Sequence, residues 1–224
     1  NFQSLKDSTS IEPVIITKFY SKGSLSNMLQ QELHSLAELE WNFTKKIILL
    51  IGVANAMNYL HEECSMIHSA LKPENILLDY NLYPIITDVG YTFIFQKQEF
   101  YNKNPNEFLY MAPEILRENS VYTIKSDVYS FAMIAYEIVT QKKPFGENNE
   151  KWKLINKIVD GIRPEFPEFV PEKMKQLISL CWSCDPNKRP SFDYIYKELS
   201  TEFSYFGDCF YEDEVYIDTL TNIN

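Results

Sequence analysis

The segment that most constrains the fold is residues 41–63, WNFTKKIILLIGVANAMNYLHEE. Apolar residues recur along it at three- and four-residue spacing and no proline interrupts it, which predicts one long helix. Its most apolar stretch, Lys46 to Ala54, argues that the helix is largely buried and needs other elements around it. Further helices are predicted from Ser24 through Gln31, with Ser24 as the cap, and over 123–140, 149–159, 172–181 and 191–202. Punctuation such as Lys143-Pro144-Phe145-Gly146 and Arg163-Pro164-Glu165 separates them. Strand signals are few. A β-branched run predicts a strand over 13–19, and residues 76–78 and 83–87 flank the turn-rich Asp79-Tyr80-Asn81 as a small hairpin. The expected class is therefore α+β, mainly α-helical.

A chain of 224 residues can bury roughly 70% of the surface of its unfolded form, enough for one core. With 21 basic and 31 acidic residues the net charge is −10, so a nucleic-acid backbone would be repelled on average and no nucleic-acid partner is expected. No run of about 18 apolar residues occurs, so no membrane span is expected either. The four cysteines are too few and too irregular for a secreted disulfide framework, and residues 1–10 lack a charged-then-apolar signal pattern. A cytoplasmic location is the expectation. Cys181-x-x-Cys184 has no second Cys or His pair beside it to complete a tetrahedral metal site. His34 and His61 read as surface or helix-end residues. The organisation expected is a polar segment over 1–11, one folded domain over 12–203 and an acidic tail over 204–224. That tail carries Asp208, Glu212, Asp213, Glu214 and Asp218 and no basic residue.

Five motifs follow one another in order. His68-Ser69-Ala70-Leu71-Lys72-Pro73-Glu74-Asn75 comes first, then Thr87-Asp88-Val89-Gly90, then Met111-Ala112-Pro113-Glu114. Ser126-Asp127-Val128-Tyr129-Ser130-Phe131 and the run from Cys181-Trp182 to Arg189-Pro190-Ser191-Phe192 complete the series. The set resembles the protein kinases: a catalytic loop, the D-F-G turn with Val89 for Phe, and the A-P-E end of the activation segment. The last two motifs are most similar to the tyrosine-kinase-like group. The resemblance covers roughly residues 12–203.

The resemblance implies site residues. Asp88 and Asn75 would be the oxygen ligands of Mg²⁺ ions on a nucleotide, and Lys72 would face the transferred phosphate. Thr17 falls at the gatekeeper position, Phe19 and Tyr20 at the hinge, and Leu77 at the apolar floor beneath adenine. Asp127 would anchor the catalytic loop near His68, and Glu114 would pair with Arg189. The departures matter as much. Ala70 stands where the family has the Asp that accepts the substrate proton, a loss worth roughly 10²- to 10⁴-fold in rate. Ser69 replaces the Arg that would hold a phosphorylated activation segment, whose candidate acceptors are Tyr91, Thr92, Tyr101 and Tyr110. Glu107 replaces a Thr near the same locus, and its carboxylate either pairs with Lys72 in place of the missing Asp or points to solvent from its loop.

A kinase small lobe needs a Gly-rich loop, a strand Lys and a helix Glu to orient it. No G-x-G-x-x-G occurs, and Gly23 is the single glycine before residue 52. The expected architecture is a kinase-like large lobe with only the last strand and hinge of the small lobe. ATP and Mg²⁺ are the implied cofactors, held weakly or not at all. The functional expectation is a pseudokinase that acts as a signalling scaffold or allosteric module, covered by a protein partner or a complementary small lobe. The alternative is an active Ser/Thr kinase whose small lobe lies outside this chain.

Overall fold

The computed structural model describes residues 17–33, 41–90, 105–117, 121–146, 150–201 and 205. Helix α1 spans Leu25–Leu33. Ser24 opens it reciprocally with Asn27: the Ser24 hydroxyl accepts from the Asn27 amide at 3.3 Å and Asn27 Oδ1 accepts from the Ser24 amide at 3.1 Å. Helix α2, Phe43–Glu62, is capped by Asn42, whose side chain accepts from Lys45 N. It is the long buried helix its periodicity predicts, with Lys46 through Ile51 all buried.

Strands β1, Ile76–Leu78, and β2, Pro84–Ile86, pair antiparallel with Leu77 opposite Ile85. Asp79 shapes the connection, its Oδ1 accepting from the amides of Asn81 and Tyr83, both at 2.8 Å. The hairpin lies directly on α2 at Gly52, where a Cβ would come within 2.7 Å of Pro84 Cγ. Only glycine permits that approach. The predicted strand over 13–19 fares differently: residues 17–20 belong to no regular element, and 13–16 lie outside the described residues.

The C-terminal half adds the short α3, Pro113–Leu116, then α4, Ile124–Thr140, α5, Lys151–Val159, α6, Glu172–Cys181, and α7, Phe192–Thr201. Helix α4 is the core of this half, with every residue from Ser126 to Thr140 buried. A capping box between Thr123 and Ser126 starts it, and Gln141 in the left-handed region ends it. Helix α7 packs along α2, with Phe192 edge-on to both His61 and Phe131 at 5.1 and 5.5 Å.

Charged groups inside this core are paired. Lys46 is buried on α2 and meets Glu32 at 2.6 Å, while Trp41 Nε1 and Gln141 Nε2 donate to the same carboxylate. That cluster joins α1, α2 and the end of α4. Desolvation by burial holds the Lys46 ammonium below its ordinary pKa, and the Glu32 partner opposes the shift. Arg189, 1% exposed, meets Glu114 through both ends of its guanidinium at 2.6 and 2.8 Å, as its motif implies.

A 3₁₀ segment, Pro105–Tyr110, is fastened to α4 through Tyr110. The Tyr110 hydroxyl donates to Glu137 at 2.5 Å and its carbonyl accepts from Ser130 Oγ at 2.7 Å. Burial pushes the Glu137 carboxyl up to about 7 from its ordinary 4.5, against the lowering effect of Tyr110 and Lys143. A raised carboxyl pKa means that the folded state holds a proton the unfolded chain has released. The associated stability is fully present below pH 4.5 and is lost as pH rises through about 7. Glu137→Gln keeps an acceptor for Tyr110 without the charge. Relative to wild type it should be stabilising by about 1–3 kcal/mol at pH 8.5 and nearly neutral at pH 4, read from urea unfolding at the two pH values.

Candidate functional site

Residues 67–75 are held from beneath by one carboxylate. Asp127, buried in the first turn of α4, accepts from the His68 amide through Oδ2 at 2.8 Å and from the Ser69 amide through Oδ1 at 2.9 Å. His61 Nε2 stands 2.9 Å from Oδ2 and donates to it when its proton is on that nitrogen. The sequence reading of His61 as a bland helix-end residue is corrected here: it is the third group on this carboxylate. Its sequence signal was slight, a lone basic residue in the last turn of α2 just before the loop.

This anchoring places Ser69 in the left-handed region at φ 64°, where its hydroxyl donates to the His68 carbonyl at 2.6 Å. His68 is fully buried. Desolvation lowers its pKa, outweighing the raising effects of Asp127 and Asp88, so the imidazole is neutral at pH 7. Its Nδ1 accepts from the Ala70 amide at 3.3 Å. Ala70 is tied from the other side as well, since its carbonyl accepts from Asn75 Nδ2 at 2.8 Å. The loop thus presents residue 70 on a fixed backbone, and the side chain presented is a methyl group.

The second motif is tied to the first by backbone. Thr87 donates to the Asn75 carbonyl through N at 3.0 Å and Oγ1 at 3.1 Å, and Gly90 N donates to the His68 carbonyl at 3.1 Å. These bonds bring Asp88 beside Asn75. Asp88 is exposed and left-handed at φ 59°, a conformation that aspartate tolerates better than most residues. The Asn75 amide nitrogen is committed to Ala70, so its oxygen is the end available to a cation. An amide oxygen and a carboxylate suit Mg²⁺, which takes few protein ligands and completes its shell with water and phosphate oxygens. Among the described residues no cluster of three or more His, Cys, Asp or Glu forms a metal site from protein alone.

Lys72 stands at the start of the 3₁₀ turn Pro73–Asn75, and its ammonium lies 3.8 Å from Glu107 Oε2, so of the two placements the sequence left open for Glu107 the paired one is found. Leu77 is half-buried on β1 and bridges to Ser24. Tyr20 lies nearby in the chain path, because the Tyr20 carbonyl accepts from Gly23 N and the Gly23 carbonyl accepts from Leu78 N. Thr17 and Phe19 are exposed, Phe19 at 87%. The structure therefore ties the segments of Ala70, Asn75 and Asp88 to one another by hydrogen bonds and links Tyr20 and Leu77 through Gly23 and Ser24, while Thr17 and Phe19 are exposed.

Tyr110 is a second correction. Offered by the sequence as a phosphate acceptor, it is 7% exposed and its hydroxyl is held by Glu137, so a modifying enzyme has no access to it. Tyr91, Thr92 and Tyr101 lie outside the described residues. A cleft of about 490 Å³ between the end of α4 and Pro164 shares no residue with the loop. Chemistry, not concavity, marks the site.

Comparison with known proteins agrees with this geometry. The family described as protein tyrosine and serine/threonine kinase matches residues 5–199. The chain belongs to the protein kinase family. It is 37% identical over 84% of its length to probable serine/threonine-protein kinase roco7 of Dictyostelium discoideum, covering 7% of that protein. It is 35% identical over 86% of its length to probable serine/threonine-protein kinase roco11 of the same organism, covering 13% of it. A probable inactive serine/threonine-protein kinase of Dictyostelium discoideum is 36% identical over 68% of the chain, which covers 8% of it. The chain thus spans a small part of each relative's length. Protein kinases generally use ATP and Mg²⁺.

The Asp127 anchor yields a measurable consequence. Asp127→Asn sets an NH₂ group against backbone N–H donors or His61 and removes the charge that strengthens these bonds. A loss of about 2–3 kcal/mol in chemical unfolding is expected, with faster hydrogen exchange at the His68 and Ser69 amides.

Proposed function

We propose that this chain is a pseudokinase module of the tyrosine-kinase-like group, serving as a signalling scaffold or allosteric binding element. The observation that carries the proposal is Ala70, held by backbone bonds at the position of the proton-accepting Asp. A methyl group neither orients a substrate hydroxyl nor takes its proton. The domain is read as residues 12–203, a large lobe with the hinge and last strand of the small lobe, followed by a tail over 204–224. Nucleotide, if held, is held weakly by Lys72, Asn75 and Asp88, with Thr17, Phe19, Tyr20 and Leu77 along the adenine edge. The exposure of Phe19 supports a protein partner or a complementary small lobe over that edge. A cytoplasmic setting suits this role.

The second reading is an active Ser/Thr kinase completed by a small lobe outside this chain. The juxtaposition of Lys72, Asn75 and Asp88 favours it, as do relatives named as kinases; the relative named as probably inactive favours the first reading. A radiolabelled phosphotransfer assay separates the two when it is run on the chain both alone and joined to the small lobe that the second reading invokes. The chain should show no autophosphorylation or transfer to a general protein substrate above background, and Ala70→Asp alone should not restore it. Robust transfer by the unmodified chain, abolished by Asp88→Asn, would overturn the proposal.

A further inference from the structure

Glu107 sits on a segment with little freedom. The three residues after it, Phe108, Leu109 and Tyr110, are 0%, 1% and 7% exposed, and Tyr110 is bonded to α4 through its hydroxyl and its carbonyl. The ammonium of Lys151 lies 5.0 Å above the Phe108 ring on the α5 side. The carboxylate of residue 107 is therefore delivered to the catalytic loop by a packed scaffold. It reaches Lys72 at 3.8 Å, with the two side chains 25% and 33% exposed.

Two residues before Lys72, Ala70 has no carboxylate to offer, so the anion facing this lysine comes from the activation-segment side. Asn75 in the same loop and Asp88, next to the Thr87 that is bonded to Asn75, carry oxygen donors for a hard cation. A phosphoanion carrying Mg²⁺ to those donors would need Lys72 for its negative charge. It would meet Glu107 already there. At this distance and exposure the ion pair is weak enough to be displaced yet close enough to repel an incoming anion.

We propose that Glu107 is a built-in counter-anion at the phosphate-facing end of the catalytic loop, and that it sets the chain's affinity for phosphoanions by competing for Lys72. The inference deepens the functional reading, resting on its assignment of Lys72 as the phosphate-facing cation, and it is independent of whether the chain turns over. Regulation follows from the geometry. Any partner that engages the partly exposed Glu107 carboxylate itself frees Lys72 and raises phosphoanion binding.

The test is titration of Mg²⁺ with inorganic tripolyphosphate into the ¹⁵N-labelled full chain, following the backbone amides of residues 68–75. Wild type, Glu107→Gln, Lys72→Met and the double variant are compared. Glu107→Gln should bind about three- to five-fold more tightly than wild type, and the gain should vanish in the double variant. Equal or weaker binding by Glu107→Gln, no binding by it at all, or a gain that survives Lys72→Met would each overturn the proposal. Glu107→Thr, of different shape, is the second variant should the glutamine chain fold poorly. Tighter binding accompanied by phosphotransfer would sink the pseudokinase reading while leaving this one standing.

Discussion

The Asp127 carboxylate is the contact on which the rest of the site depends. It lies in the first turn of α4, where unpaired backbone N–H groups favour negative charge, and it receives two loop amides and a histidine from α2. Removed from water, each of those donors would be costly to leave unmatched. Gathered on one carboxylate they lock α4, α2 and the loop into one arrangement. The left-handed turn at Ser69, the position of Ala70 and the tie from Gly90 to His68 all build on that arrangement.

Retention of this framework around an alanine at residue 70 is physically reasonable, because the two have different energetic roles. Arg189 with Glu114, Lys46 with Glu32 and Asp127 with its three donors are buried or partly buried polar assemblies. Removing one partner from such an assembly leaves a stranded charge and costs several kcal/mol. Ala70 carries no such obligation: its side chain is a methyl group, and its backbone is satisfied on both sides. The side chain at residue 70 can therefore change without loss of the fold. Asp127 cannot be lost on the same terms.

Much of the element list was legible in the sequence, since it follows from local periodicity. Residues 41–63 predicted the helix found at Phe43–Glu62, residues 172–181 coincide with Glu172–Cys181, and 191–202 bracket Phe192–Thr201. The 3₁₀ segment Pro105–Tyr110 and the four-residue helix Pro113–Leu116 were not legible, because one or two turns are too short to display a period. The strand expected over 13–19 shows no regular element in its described part, 17–19. A β-branched run becomes a strand only when another strand takes up its backbone hydrogen bonds.

The sequence by itself determined which groups are present: a methyl at residue 70, a carboxylate at 107 and 88, an amide at 75, and a proline-free apolar helix to carry the loop. These are covalent facts, and the spacing of motifs orders them along the chain. Only the tertiary structure decided which groups meet. It brought His61 to Asp127 across 66 residues, buried Tyr110 on Glu137 where the sequence offered it as a phosphate acceptor, and set Gln141 on Glu32 across 109 residues. Such contacts depend on how buried surfaces close against one another and on where an unpaired polar group finds its partner. Neither is encoded in any local window of residues.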